Sequence, residues 1–368
     1  MSRGVRGGSS PLTRERCWGA ALVAALFGCA PAPPPSAPPP PVGTAPPAEP
    51  EVPSPVVVEP PAPAPPPAPA PAEPPAPPLP PFPPPSFAVP FPHTAKPGDG
   101  RWEPLVPAAA SEPALLYRAA IHPDRVRPHV HVALVAVDLT RVAIRAVAGT
   151  RQPLSSTVPP EHRPGVVPQQ DLADLVAVMN GGFMTRHGGW GMMVGGEVIA
   201  PPKDDGCTVA LLADGGVRIA TQAKLGVAPE ALTAYRQTPP CLVEQGAVNE
   251  ALLGGEKPRA WGMSETGGIE IRRSALGVAE GGRTLLYGLG ESVTPRQMAE
   301  AMRAAGAVSA AELDVNWSYT RFFLYGPDST PDAPPEVTAT LVPKLKHARG
   351  EYVKKPAERD FFYLVRRR

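Results

Sequence analysis

Residues 129–148 read HVHVALVAVDLTRVAIRAVA, and the reading of this stretch decides the class of fold. Apolar and β-branched residues alternate with small or polar ones in both halves, the period of a half-buried strand and not of a helix. Thr140-Arg141 breaks the pattern as a polar turn. The spacing predicts a β-hairpin, with His129 and His131 on one strand face. Two histidines so placed bind a metal only with further ligands, and no third is in view, so they are read as an exposed face.

Working outward toward the C-terminus, Asp174–Met179 is a short apolar strand that runs into Asn180-Gly181-Gly182-Phe183. A strand ending in two glycines marks a close backbone approach or a turn with positive φ. Gly188, Gly189, Gly191, Gly195 and Gly196 then alternate with Trp190, Met192, Met193 and Val194, and a strand restarts at Val198-Ile199. Thr208–Leu212 and Val217–Ala220 flank Ala213-Asp214-Gly215-Gly216, which predicts a second hairpin. One helix has a full set of signals. Thr294 is its N-cap, Pro295 its first residue and Gln297 completes a capping box; Met298, Met302 and Ala305 make the apolar stripe, and Gly306 stops it. Ala310–Val315 follows as a buried strand with acids near its end. The predicted class is α+β, mostly antiparallel sheets with a few helices, preceded by a disordered proline-rich tether.

That tether occupies residues 29–100, which hold more than half of the chain's 57 prolines. Proline fixes φ and removes a donor, so the segment should be polyproline-II-like and span roughly 200 Å at ~3.1 Å per residue. Residues 1–28 carry Arg3, Arg6, Arg14 and Arg16, an uncharged run from Cys17 to Phe27, and then Gly28 before Cys29. The run is too short for a bilayer span, which needs about 20 apolar residues, and the layout is that of a secretion signal. Leu26-Phe27-Gly28-Cys29 resembles a bacterial lipobox, which implies lipidation at Cys29 and a cell-envelope location, at the outer membrane or in the periplasm. Contact with the membrane is then through the lipid anchor only.

The rest, residues 101–368, is read as one domain. The chain's formal net charge is +1, with both signs mixed along the domain, which argues against nucleic acid as a partner. Basic runs from Lys344 to Lys355 and at Arg366-Arg367-Arg368 read as solvated surface. Cys207 and Cys241 are the only cysteines left to the domain, and in an oxidising compartment such a pair is expected to be a disulfide. A monomer without cofactor or metal is expected.

Three segments are poor choices for simple packing: Asn180-Gly181-Gly182-Phe183, Arg273-Ser274-Ala275-Leu276-Gly277-Val278, and Leu313-Asp314 followed by Asn316-Trp317-Ser318. In this order, with the capped helix between the second and third, they resemble the phosphodiester glycosidase family, which includes an N-acetylglucosamine-1-phosphodiester alpha-N-acetylglucosaminidase. The family pattern is Asn-Gly-Gly-Phe-Phe, Arg-Thr-Ala-Ile-Gly-Val and Leu-Asp-Gly-Gly-Gly-Ser. Here Met184 replaces the second phenylalanine and Val315-Asn316-Trp317 replaces the three glycines, while Asp314 and Ser318 keep their places.

The resemblance implies an envelope hydrolase that cleaves a sugar from a sugar-phosphate diester, with a carbohydrate or sugar-phosphate polymer as partner. A phosphate monoester leaves with little protonation, so one carboxylate suffices. Asp314 would stabilise the oxocarbenium-like centre, attack it or activate water. Arg273 would hold the phosphate with its fork, and Asn180 would bind a sugar hydroxyl or the phosphate. Gly181, Gly182 and Phe183 would shape the subsite with Asn316 and Ser318, Glu291, Glu312 or His187 would supply a second acid or base, and Trp190 and Trp317 would stack on a sugar. Other roles stay open: Arg273 with Asp314 as a buried ion pair, the tryptophans as core, and the whole domain as a non-catalytic glycan- or phosphate-binding lipoprotein.

Overall fold

Val132–Asp138 and Val142–Val147 are strands, as the alternation predicts, but they do not pair with each other. Val132–Asp138 lies between Leu116–Ile121 and Thr284–Val293, whereas Val142–Val147 pairs with Phe361–Arg366 in another sheet. The turn at Thr140-Arg141 therefore carries the chain from one sheet to the next. The expected hairpin is corrected on this point: the two strands are buried by different layers, so Val142–Val147 takes its partner from the far end of the chain.

The structure is a computed structural model, which describes residues 78–105, 113–254, 259–327 and 333–368. The expected signal segment, Cys29 and the residues through 77 lie outside the described residues. Three antiparallel sheets build the fold. The first runs Leu116–Ile121, Val132–Asp138, Thr284–Val293, Ile271–Ala279 and Ala307–Glu312, with short edge strands on both sides. The second runs Glu197–Ala200, Met192–Val194, Leu232–Thr238, Cys207–Leu212 and Val217–Thr221. The third runs Glu336–Thr340, Phe322–Gly326, Leu175–Asn180, Phe361–Arg366 and Val142–Val147. The Thr208–Ala220 hairpin forms as expected.

Pro295–Ala304 is the one α-helix among the described residues. Its capping box is made: Thr294 Oγ1 accepts from Gln297 N at 3.2 Å, and Gln297 Oε1 accepts from Thr294 N at 2.8 Å. Met298 and Met302 bury against one face of the first sheet, with Leu134, Ala275 and Leu286. The opposite face, with Val135, Leu276 and Tyr287, packs on Met179, Phe322 and Phe362 of the third sheet. Alternate residues of each central strand thus serve two different cores, which accounts for their nearly continuous burial.

The disulfide is formed between Cys207 and Cys241, with Cα atoms 4.8 Å apart. It ties the second sheet to the segment entering the edge of the first. Residues before 101, from Pro80 on, also pack against the first sheet. Phe82 meets Tyr117 edge-on, Phe87 meets Trp102, and Arg283 Nη1 donates to the Pro80 carbonyl. The phenylalanines that end the proline-rich run supply the apolar area that docks it. No helix among the described residues is long and apolar enough to cross a membrane.

Candidate active site

The strand Leu175–Asn180 ends where the first and third sheets meet, and Asn180 is the joint. Its Nδ2 donates to Ser274 Oγ at 2.9 Å and to Gly181 O at 3.1 Å, while its Oδ1 accepts from Tyr287 Oη and from Arg321 N, each at 3.0 Å. Gly181 O in turn accepts from Asp314 N at 2.9 Å. Every polar atom of Asn180 is engaged, so it holds the three motif segments in register at the floor of a cleft that it also lines.

That cleft, about 560 Å³, is bounded by Asn180, Gly181, Asp314, Tyr319 and Arg321 on one side and by the segment 351–360 with Arg151 on the other. Asp314 is buried, yet its carboxylate faces the cleft, where it forms an ion pair with Arg359. Burial pushes its pKa up to about 7, against the opposing pull of Arg359 and of the Val315 amide that donates to Oδ1. The contact with Arg359 is a charge contact without hydrogen-bond alignment, and Nε, Nη1 and Nη2 of Arg359 are all buried with no hydrogen-bond partner. The Arg359 guanidinium lies flat over the Tyr319 ring, 3.7 Å from its centroid.

Beneath the cleft floor Arg236 and Asp360 form a buried bidentate pair at 2.8 and 3.2 Å. Asp360 Oδ2 also accepts from Gly182 N at 2.8 Å, and Arg236 Nη2 donates to Phe183 O at 2.5 Å. This pair explains the two glycines. A Cβ on Gly181 would stand 2.0 Å from Asp360 Oδ2, and one on Gly182 would stand 2.6 Å from the Arg236 guanidinium carbon. Neither glycine has a positive φ; the close approach is to the protein's own ion pair, and Gly181 alone also lines the cleft.

Several expected site residues stand elsewhere. Arg273 is fully buried and does not reach the cleft, nor does it pair with Asp314. It donates to Glu312 at 2.7 Å and to the carbonyls of Val293, Trp261, Gly262 and Ile269, so all five of its N–H groups are used inside the protein. Residues 272 and 273 point to opposite faces of their strand, and 273 points to the inner one. Glu312 is equally buried, which raises its pKa to about 7 despite Arg273, and it is a partner to Arg273 rather than a cleft acid. Glu291 pairs with Arg272. Trp317 is exposed and stacks on Arg272 with the guanidinium carbon 3.6 Å from its ring centroid, and the Ser318 carbonyl accepts from Arg321.

Phe183, Trp190 and Val315 form a small apolar cluster. They border a second cavity of about 500 Å³ together with His187, Arg259 and Asn316. Val315 fills space against Phe183, and Asn316 adopts φ +81°, a left-handed conformation that asparagine tolerates better than most residues. The loop thus keeps one glycine-like turn. His187 is exposed and accepts from Arg186 Nε at Nε2, and local desolvation with the charges of Arg186 and Arg359 lowers its pKa.

Arg359, Tyr319, Arg321 and Glu351 border the cleft without having been expected there. A lone arginine carries no local signal, although the doublet Arg359-Asp360 immediately before the apolar run Phe361–Val365 is a cue: charges at a strand entrance must find partners. Among the described residues no three His, Cys, Asp or Glu side chains cluster as a metal site.

The pattern of the phosphodiester glycosidase family matches residues 173–324. No curated protein matches the chain. The catalytic domain of zebrafish N-acetylglucosamine-1-phosphodiester alpha-N-acetylglucosaminidase, auto-inhibited by its pro-peptide, aligns with a TM-score of 0.43 and 14% identity over 71% of this chain and 86% of that one. A hypothetical protein from Synechocystis aligns with a TM-score of 0.38 and 10% identity over 68% of this chain and 62% of that one, so this chain spans about three fifths of that protein. The matched segment contains Asn180, Ser274 and Asp314, the residues that the hydrogen bonds bring to one floor, and over that segment the chain is similar to the phosphodiester glycosidase family.

Proposed function

We propose that the protein is an envelope-anchored hydrolase that releases a sugar from a sugar-phosphate diester in an extracytoplasmic glycan, with Asp314 as its working carboxylate. The observation that carries this reading is the carboxylate of Asp314, buried but turned into an open cleft beside a cation whose donors are unmet. Water adds to the anomeric carbon, the bond from that carbon to the phosphate oxygen breaks, and the electron pair leaves with a phosphate monoester. Asp314 takes the proton of the attacking water and returns it to solvent. The leaving group needs little protonation, so a single working carboxylate, Asp314 beside Arg359, suffices.

A non-catalytic glycan-binding lipoprotein is the second reading, favoured by the bulky Val315-Asn316-Trp317 loop. The deciding experiment incubates the full-length protein with a panel of sugar-phosphate diesters and measures released sugar. Turnover that is lost in Asp314→Asn with an unchanged melting temperature supports the hydrolase; binding without turnover in the wild type selects the binding module. The anchor is tested separately. Cys29→Ser should lose lipid label and pass into the soluble fraction, because the thioether requires the sulfur; a wild-type protein that takes up no label overturns the anchor.

A further inference from the structure

Four cations border the cleft, and three of them are answered. Arg151 meets Glu358 at 3.5 Å, and Arg321 and Lys355 share Glu351 at 2.7 and 3.8 Å. Asp360, also at the cleft, is committed to Arg236. Arg359 alone has Asp314 as its ionic partner and not one hydrogen bond from its guanidinium. A buried guanidinium with unmet donors is costly, and an oxyanion that accepts from two of its N–H groups would remove that cost. The lining holds four cations and four carboxylates; with Asp360 neutralised by Arg236 from outside the lining, one positive charge is left over, which matches the single charge of a phosphodiester.

The same guanidinium is held flat on Tyr319, so its plane is set before any ligand arrives. Its nitrogens are covered, so an anion reaches them only by displacing a neighbour; Asp314 is bound to Arg359 by charge alone and half-exposed Tyr319 by stacking. Arg359 also lies outside residues 173–324. Resting on the hydrolase reading above, we infer that Arg359 is the residue that recognises the phosphodiester monoanion, and that it passes from Asp314 to the substrate's phosphate when the substrate binds. The transfer removes the counter-charge from Asp314 at the moment a base is needed, so recognition of the phosphate and activation of water are one event.

The inference makes two variants move in opposite directions. Inorganic phosphate titrated into the full-length protein by calorimetry should bind the wild type and lose affinity by about tenfold or more in Arg359→Met. Arg359→Lys should fall between them, since it keeps the charge without the fork. In Asp314→Asn the affinity should rise several-fold, because the competing carboxylate is gone; a residue with only a structural role would not produce that gain. Equal phosphate affinity in wild type and a folded Arg359→Met, or weaker binding in Asp314→Asn, overturns the inference. If Arg359→Met does not fold, the sign of the Asp314→Asn change decides alone. Arg359-dependent phosphate binding without turnover of any diester upholds the anion site and sinks the hydrolase reading, whereas Asp314-dependent turnover with phosphate affinity indifferent to Arg359 does the reverse.

Discussion

Arg273 and Arg359 each meet a carboxylate at the end of the same strand, Glu312 and Asp314, yet the two pairs are opposites. Arg273 is enclosed and spends all five N–H groups on Glu312 and four carbonyls. Arg359 stands at an open cleft and has no hydrogen bond from its guanidinium. Charge and residue type are identical, so what separates a structural arginine from a functional one here is saturation. A saturated pair fixes the first sheet to the loop 261–269; an unsaturated pair leaves an unmet need that a ligand can fill.

The largest effects should divide along that line. Arg273→Met orphans buried Glu312 and the four carbonyls that Arg273 serves, and removing one partner of such a pair commonly costs about 3–5 kcal/mol. A steep fall in melting temperature is expected, read by circular dichroism. Should Arg273→Met instead melt like the wild type while losing only turnover, the contrast between the two arginines is broken. Asp314→Asn is the counterpart. It should keep the fold and lower kcat by about 10²–10⁴-fold, the range of a lost general base, and a variant that is unstable rather than slow would place Asp314 with the structural pairs.

The contrast also shows what the sequence could carry. The capped helix was legible because Thr294, Pro295 and Gln297 act within one turn of each other, and the Thr208–Ala220 hairpin because its turn is local. Residues 129–148 revealed two strands but not their partners, since Val142–Val147 takes its neighbour from Phe361–Arg366 at the far end of the chain. The motif segments were legible as a group, and Asn180, Ser274 and Asp314 do meet. The sequence does not place Arg273, because a strand residue's type does not say which face it occupies, and a shift of one position reverses the answer. Arg359 was invisible for a related reason: only the folded chain brings it to Asp314.

A smaller effect comes from pH, and it ties the two regions together. Burial raises Asp314 and Glu312 to about 7, above their ordinary values near 4. The folded protein therefore holds protons that the unfolded chain has released between about pH 4 and pH 7, and stability falls as pH rises across that window. Asp314 acts as a base only when ionised, so kcat/KM should rise across the upper part of the same window, by about tenfold per unit below the pKa. Melts and rates measured on one pH series should run in opposite directions. A rate that falls with rising pH would make Asp314 an acid and not a base.

The smallest effect tests whether stacking or charge sets Arg359. Two exposed aromatics of one loop each lie on an arginine: Tyr319 on Arg359 at 3.7 Å and Trp317 on Arg272 at 3.6 Å. The stacks are alike in distance but differ in what the arginine does. Arg272 already pairs with Glu291 and donates to the Trp317 carbonyl, which leaves only its Nε without a partner, so Trp317→Leu removes contact from a cation that other partners still hold and should leave phosphate affinity and turnover unchanged. Arg359 has no hydrogen bond to fix its plane, so Tyr319→Leu frees the guanidinium to rotate about a charge contact alone. An exposed cation–π contact is worth about 0.5–1 kcal/mol, a loss of roughly two- to fivefold in affinity. That loss should appear in KM more than in kcat, because the ring orients the binding cation and does not touch Asp314's proton. Calorimetry with phosphate on both variants compares the two stacks directly. A larger loss for Trp317→Leu than for Tyr319→Leu would move ligand recognition from the cleft to the Arg272 face of the loop, where the sugar-stacking role first expected for Trp317 would then apply.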